Sequence, residues 1–91
     1  MRKFRHFLSQ VFPNPFNTVA TIRYQLQVAS YVELVVYDVS GREVASLVNG
    51  HSSFGKHEVV WDASNQTSGV YFIRLTVDGR QSSVKKILLV K

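Results

Sequence analysis

Ninety-one residues and 10.3 kDa make one domain rather than two, since single domains usually run to about 100 residues or more. A composition of 45% hydrophobic, 12% aromatic and 19% charged residues excludes a disordered tail and predicts a small packed core of modest stability, on the order of 5 kcal/mol. Eleven Lys and Arg against six Asp and Glu give +5, yet three basic residues fall in the first five positions and three in the last seven, so the body is nearly neutral and nucleic acid is not the expected partner.

The chain opens on Met1-Arg2-Lys3, which has the charge of a signal-peptide n-region, but Arg5, His6, Ser9 and Gln10 interrupt the apolar stretch that must follow. Residues 1–10 are therefore expected to be a basic N-terminal extension without a signal peptide, either disordered or an added strand, ahead of a domain at 11–91. Val11-Phe12-Pro13-Asn14-Pro15-Phe16-Asn17 fixes φ at both prolines and pushes their predecessors into extended geometry, which suits an ordered edge or a rigid lead-in and not a central strand. Beyond it, alternation with period two dominates and no window shows the apolar spacing of an amphipathic helix.

In residues 21–26, Ile22, Tyr24 and Leu26 alternate with Thr21, Arg23 and Gln25, the pattern of a half-buried strand. Residues 31–39 place Val32, Leu34 and Val36 on one face, with a β-branched density that suits a central strand. Asp38-Val39-Ser40-Gly41 predicts a type I turn, in which the Asp bonds its own backbone and the Gly takes the positive φ. The return segment 42–48 has Val44 and Val48 on one side and Ala45 and Leu47 near the other, so its inward face is ambiguous, before Asn49-Gly50 marks another turn. Residues 56–62 set His57, Val59 and Trp61 against Lys56, Glu58, Val60 and Asp62, with Trp61 expected to be mostly buried. The polar loop 63–69 is expected to cross between sheets. Residues 70–77 put Tyr71, Ile73, Leu75 and Val77 on one face, Asp78-Gly79 signals a two-residue hairpin, and the last half of 80–90 is expected to be its buried half. Six or seven short strands at this spacing predict an all-β fold, a two-sheet antiparallel β-sandwich.

The residue inventory points away from chemistry. Cysteine is absent, which excludes a disulfide framework, a thiol nucleophile and thiolate zinc sites. The apolar runs, such as the four residues 87–90, fall far short of the roughly 20 that span a bilayer, so the chain is not expected to cross a membrane. His6, His51 and His57 have no metal-ligand spacing, and His57 reads as a partly buried strand residue. Ser64, His57 and Asp62 make a triad only on paper, with no nucleophile elbow around the serine. The five glycines are isolated and explained by turns, and Asn65-Gln66-Thr67 is read as loop rather than as a glycosylation site. No catalytic residue, metal or cofactor is expected, which favours a module that is recognised over one that reacts.

Several motifs, taken in order, carry a family resemblance. Phe12-Pro13-Asn14-Pro15-Phe16-Asn17, Ala20-Thr21-Ile22-Arg23-Tyr24-Gln25-Leu26, Val36-Tyr37-Asp38-Val39-Ser40-Gly41-Arg42-Glu43-Val44, Val60-Trp61-Asp62, Ser68-Gly69-Val70-Tyr71-Phe72-Ile73-Arg74-Leu75 and Lys85-Lys86-Ile87-Leu88-Leu89-Val90-Lys91 together resemble the C-terminal sorting domain of type IX secretion substrates. The resemblance runs from about residue 11 to the last residue. A weaker one, to the immunoglobulin-like domain of flagellar hook-capping proteins, shares the Asp-x-x-Gly and Gly-x-Tyr features.

The stronger resemblance implies an immunoglobulin-like sandwich of about seven strands that acts as a non-catalytic secretion signal for an N-terminal cargo in Bacteroidetes-type bacteria. The implied partners are the outer-membrane type IX machinery and its sortase-like protease. The implied route runs through the periplasm to the cell surface or the extracellular space. Residues carried over as recognition or motif positions are Pro13, Asn14 and Pro15, then Asp38, Gly41 and Arg42, then Gly69 and Tyr71, and finally Lys85, Lys86 and Lys91. Each of the first eight also has a structural explanation in turn chemistry, core packing or a rigid lead-in. Lys85 and Lys86 occupy both faces of a terminal strand and, with Lys91, form a basic edge that either guards against strand pairing or is read by a receptor. The weaker resemblance implies an accessory structural or adhesive domain instead, and monomer and homodimer both stay open.

Overall fold

A computed structural model describes residues 7–91. Its strands are β1 (Phe7–Phe12), β2 (Val19–Leu26), β3 (Ser30–Tyr37), β4 (Glu43–Ser52), β5 (Gly55–Asp62), β6 (Gly69–Val77) and β7 (Gln81–Leu89), with no helix among the described residues. They form two antiparallel sheets, β1-β2-β5 and β4-β3-β6-β7. The all-β sandwich expected from the alternation is therefore present. Its strand order matches an immunoglobulin-type sandwich in which the fourth strand lies beside the third rather than at the edge of the first sheet.

Period-two patterning decides the core. Ala20, Ile22, Tyr24 and Leu26 of β2 face Val32, Leu34 and Val36 of β3, Tyr71, Ile73, Leu75 and Val77 of β6, and Ile87 and Leu89 of β7, all buried. Trp61 is 4% exposed, as its position on β5 predicted. The edge strand β4 has no fully buried residue. Its register shifts opposite Leu34/Val35 and again opposite Val36/Tyr37, so no single face of it stays inward, and Val44, Ala45, Leu47 and Val48 are all half-buried. The sequence ambiguity here reflects real irregularity.

Asn49-Gly50 is not a turn. Both residues lie inside β4, paired with Glu33 and Val32, and the strand continues to Ser52 opposite Ser30. The full length of β3 supplies backbone partners that a local turn signal does not see, and the reversal falls instead at Ser53-Phe54, before Gly55 at φ 117°. The β6–β7 connection contains Asp78, Gly79 and Arg80, one residue longer than expected, with positive φ at Asp78 and Gly79 and a 3.0 Å bond from the Arg80 amide to the Val77 carbonyl. Asp78 also caps β3, its carboxylate accepting the Tyr31 amide at 2.9 Å while its own amide donates to the Tyr31 carbonyl.

β1 starts at Phe7, within the segment read as a basic extension, and Leu8 is part of the core; residues 1–6 of that segment lie outside the described residues. The loop 63–69 does cross from the first sheet to the second, since β5 and β6 belong to different sheets.

Candidate recognition surface

β7 is an edge strand, and its outer side is partly sealed by the lead-in that sequence reading singled out. Both proline bonds of that segment, Phe12-Pro13 and Asn14-Pro15, are cis. Between them the Asn14 amide stands in for a neighbouring strand, Nδ2 donating to the Lys86 carbonyl at 3.2 Å and Oδ1 accepting the Leu88 amide at 3.1 Å. Phe16 then pairs parallel to β7, its amide donating to the Leu88 carbonyl and its carbonyl accepting the Val90 amide, each at 2.9 Å. Asn14 and Phe16 thus close three outward backbone groups of β7 and the amide of Val90 just beyond it, which an edge strand otherwise leaves open to pairing.

The same segment supplies core. The Phe16 ring, 2% exposed, lies 5.5 Å from Trp61, which lies 5.3 Å from Tyr71 in an edge-on arrangement. Such tilted aromatic pairs favour the negative ring face of one partner against the positive edge of the other. The Tyr71 hydroxyl donates to the Thr67 carbonyl at 2.6 Å, four residues back, the geometry of a tyrosine corner at the start of β6. Gly69, at φ 154°, precedes it. Lys91 anchors the end of the chain to this loop, its amide donating to Ser68 Oγ at 3.0 Å and its Nζ to the Ser64 carbonyl at 2.7 Å.

Across a cleft of about 580 Å³ from that loop sits the β3–β4 turn. Asp38 Oδ1 accepts the Ser40 amide at 2.9 Å, the Ser40 hydroxyl at 2.6 Å and the Arg42 amide at 3.1 Å, and Arg42 Nε lies 3.5 Å from Oδ2. The Ser40 hydroxyl bond, with the two amides and the Arg42 charge, holds the Asp38 carboxyl below its ordinary value. Gly41, at φ 86°, donates its amide to the Asp38 carbonyl at 3.0 Å and closes the turn. Asp38 and Arg42 therefore line the same cleft as Gly69 and Tyr71.

Lys85 and Lys86 lie apart from that cleft, higher on β7. Alternation puts Lys85 on the face of Ile87 and Leu89 and Lys86 on the opposite face, yet both are exposed, and neither ammonium has an ion pair or hydrogen bond among the described residues. Asn14, between Pro13 and Pro15, sits beside them. The structure thus makes two groups of the sequence-predicted residues, one around the loop cleft with Lys91 bonded to its loop, and one along the β7 edge with Asn14 bonded to the strand.

Phe16, Ser64 and Ser68 were not singled out as site residues. Their roles depend on partners 73, 27 and 23 positions away, which no local pattern displays. His57 Nε2 lies 2.7 Å from the Ser53 carbonyl and its ring stacks on Tyr24, while Ser64 and Asp62 are joined only by a turn bond from the Ser64 amide to Oδ1. Among the described residues no three His, Cys, Asp or Glu side chains gather to hold a metal, and His6 lies outside them.

Comparison with known proteins bears on these features. The chain is similar over 90–99% of its length to two solved proteins of Porphyromonas gingivalis. Dimeric latent PorU gives a TM-score of 0.75 at 24% identity, with 99% of this chain and 10% of that one covered. PorZ, an essential surface component of the type-IX secretion system, gives 0.64 at 22%, with 90% and 11% covered. A mutant β-glucosidase of Listeria innocua bound to laminaribiose gives 0.62 at 12% identity, with 98% and 16% covered. The chain spans about a tenth to a sixth of these proteins, and at such identities the likeness is one of fold. The glucosidase shows that this sandwich serves proteins of unrelated activity, so the fold alone does not assign function. Among curated proteins no match to the sequence is found. The secretion system C-terminal sorting domain family, by contrast, matches residues 10–91, from within β1 through the sealed β7 edge to the anchored last lysine. On that match the chain belongs to the C-terminal sorting domain family, a type IX secretion signal on an immunoglobulin-like β-sandwich.

Proposed function

We propose that this domain is read as a folded surface by the type IX machinery, which exports the cargo attached ahead of it across the outer membrane. The observation that carries the reading is the family match over residues 10–91, nearly the whole described chain. It favours an address over the accessory role of a hook-capping-like domain. In this reading the domain is non-catalytic and takes no cofactor. It passes through the periplasm, and it meets both the outer-membrane machinery and a sortase-like protease related to PorU.

The exposed residues Lys85, Lys86 and Lys91 are proposed as recognition positions, with Lys91 also structural. Asp38, Gly41, Arg42, Gly69, Tyr71, Pro13, Asn14 and Pro15 shape the surface that is read. Their bonds are turn closures, a tyrosine corner and an edge seal, each of which holds backbone in place.

The test fuses residues 1–91 behind a reporter that carries its own periplasmic signal peptide, in a host with the machinery. Lys85→Ala with Lys86→Ala removes two exposed charges and leaves the buried Ile87 and Leu89 in place. The native fusion is expected at the surface and the double variant in the periplasm, with unchanged melting temperature. Full surface export of the folded double variant would remove the lysines from the recognition role.

A further inference from the structure

We propose that the unsealed stretch of β7, at residues 84–86, docks an extended acidic segment of a partner protein, which adds as a strand and places adjacent carboxylates on Lys85 and Lys86. The proposal rests on the sorting reading for the kind of partner, a component of the export machinery, and on geometry for the chemistry.

Because Asn14 and Phe16 bond to Lys86, Leu88 and Val90, the outward backbone groups of β7 are those of the even-numbered residues. The seal stops at the Lys86 carbonyl. The Lys86 amide and both groups of Val84 share the outward parity and have no partner among the described residues. The chain leaves this edge at Asn14 because, preceding it, β1 pairs with β2 in the other sheet. β1 still approaches β7 here, the Leu8 amide donating to Ser83 Oγ at 3.1 Å, but it does not pair with the outward backbone of residues 84–86, and Val84 is 55% exposed. Open edges of this kind are where extended peptides add to sheets.

Charge then selects the occupant. A groove of about 440 Å³ lies between β1 and this stretch of β7, lined by Ser9, Gln10, Val11, Asn14, Val84, Lys85 and Lys86, and no carboxylate lines it. Lys85 and Lys86 project to opposite faces of β7, so they flank an added strand on both sides. Successive residues of that strand also point to opposite faces. Two adjacent Asp or Glu residues thus meet both ammonium groups at once, while two acids separated by one residue meet only one face. The same fork rejects a basic strand, including a second β7 edge, by like-charge opposition.

The probe is a short synthetic peptide of alternating Thr and Val with a central Glu-Glu pair, titrated into the full 91-residue chain by NMR at low salt. Saturable shifts and slowed amide exchange are expected at Val84 and Lys86. Lys85→Glu with Lys86→Glu is expected to weaken binding at least about tenfold, and the single variants Lys85→Gln and Lys86→Gln to fall between. Lys56→Glu, an equal charge change on β5, is expected to stay within about twofold. Equal affinity for a peptide whose two Glu residues are one residue apart would overturn the fork. Inorganic polyphosphate that competes fully, with no slowed exchange at Val84 and Lys86 on peptide binding, would overturn strand addition in favour of plain polyanion attraction. The export assay separates this proposal from the sorting reading. Native export without peptide binding sinks the docking site alone, and peptide binding without native export sinks the sorting role and leaves the site standing.

Discussion

Asn14 shows what one side chain contributes when it replaces a strand. Its primary amide, unlike a trans peptide group, presents a donor and an acceptor on the same side, and both are used on β7. Asn14→Ala removes both bonds and reopens the edge, with an expected loss of about 1–2 kcal/mol in urea unfolding. Asn14→Asp keeps the acceptor for Leu88 but loses the donor to the Lys86 carbonyl, so it is expected to recover only part of that loss. Tyr71→Phe keeps the ring against Trp61 and deletes the 2.6 Å bond to the Thr67 carbonyl, with an expected cost of about 1 kcal/mol in the same measurement. A cost near zero would mean that water replaces the hydroxyl at no loss.

Asp38 gives the residue scale a pH signature. Its folded value is depressed, chiefly by the Ser40 hydroxyl, so its contribution to stability is present above the ordinary value of 3.8 and is lost as pH falls through the lower folded value. Thermal melts across the acid range are expected to show native stability falling more steeply below that pH than the stability of Asp38→Asn. Parallel curves would show that the turn bonds do not distinguish the charged from the neutral carboxyl.

Among the elements, β2, β3 and β6 were legible because each is paired on both sides and keeps a strict alternation, which the core enforces. β4 was not. Its two register shifts move side chains between faces, and Asn49-Gly50 sits in mid-strand because Glu33 and Val32 pair with it from outside any local window. The candidate site divides in the same way. The Asp38 turn could be read locally, since its partners are two and four residues away. The edge seal could not, because the Asn14 bonds span 72 and 74 positions. The motif was visible as a pattern, and its mechanics required the fold. At this scale Trp61 joins the lead-in to β6 through Phe16 and Tyr71. Trp61→Ala is expected to cost about 3–5 kcal/mol, enough to leave a domain of this size largely unfolded at 37 °C. Retention of a cooperative melt within a few degrees of the native one would show that the cluster can collapse around the loss.

On the scale of the whole molecule, the body is a slender sandwich of 45 × 22 × 22 Å whose chain end is part of the structure rather than a tail. Ile87 and Leu89 fill the core, Lys91 holds the 63–69 loop, and the lead-in closes over both. Truncation at the C-terminus is therefore expected to remove the buried Ile87 and Leu89 and destabilise the domain as well as removing its lysines, whereas substitution at exposed Lys85 and Lys86 leaves that core in place. One edge brings together Lys85, Lys86, the sealed part of β7 and its open stretch, while the far edge at β4 carries two register shifts that interrupt regular pairing.

The central claim is that this folded domain is an address. Its most direct measurement is surface display of a reporter carrying residues 1–91 at its C-terminus, compared between a host with the type IX machinery and an otherwise identical host without it. The account predicts reporter at the surface of the first and in the periplasm of the second. Reporter confined to the periplasm of both, with the domain shown to be folded, would contradict it.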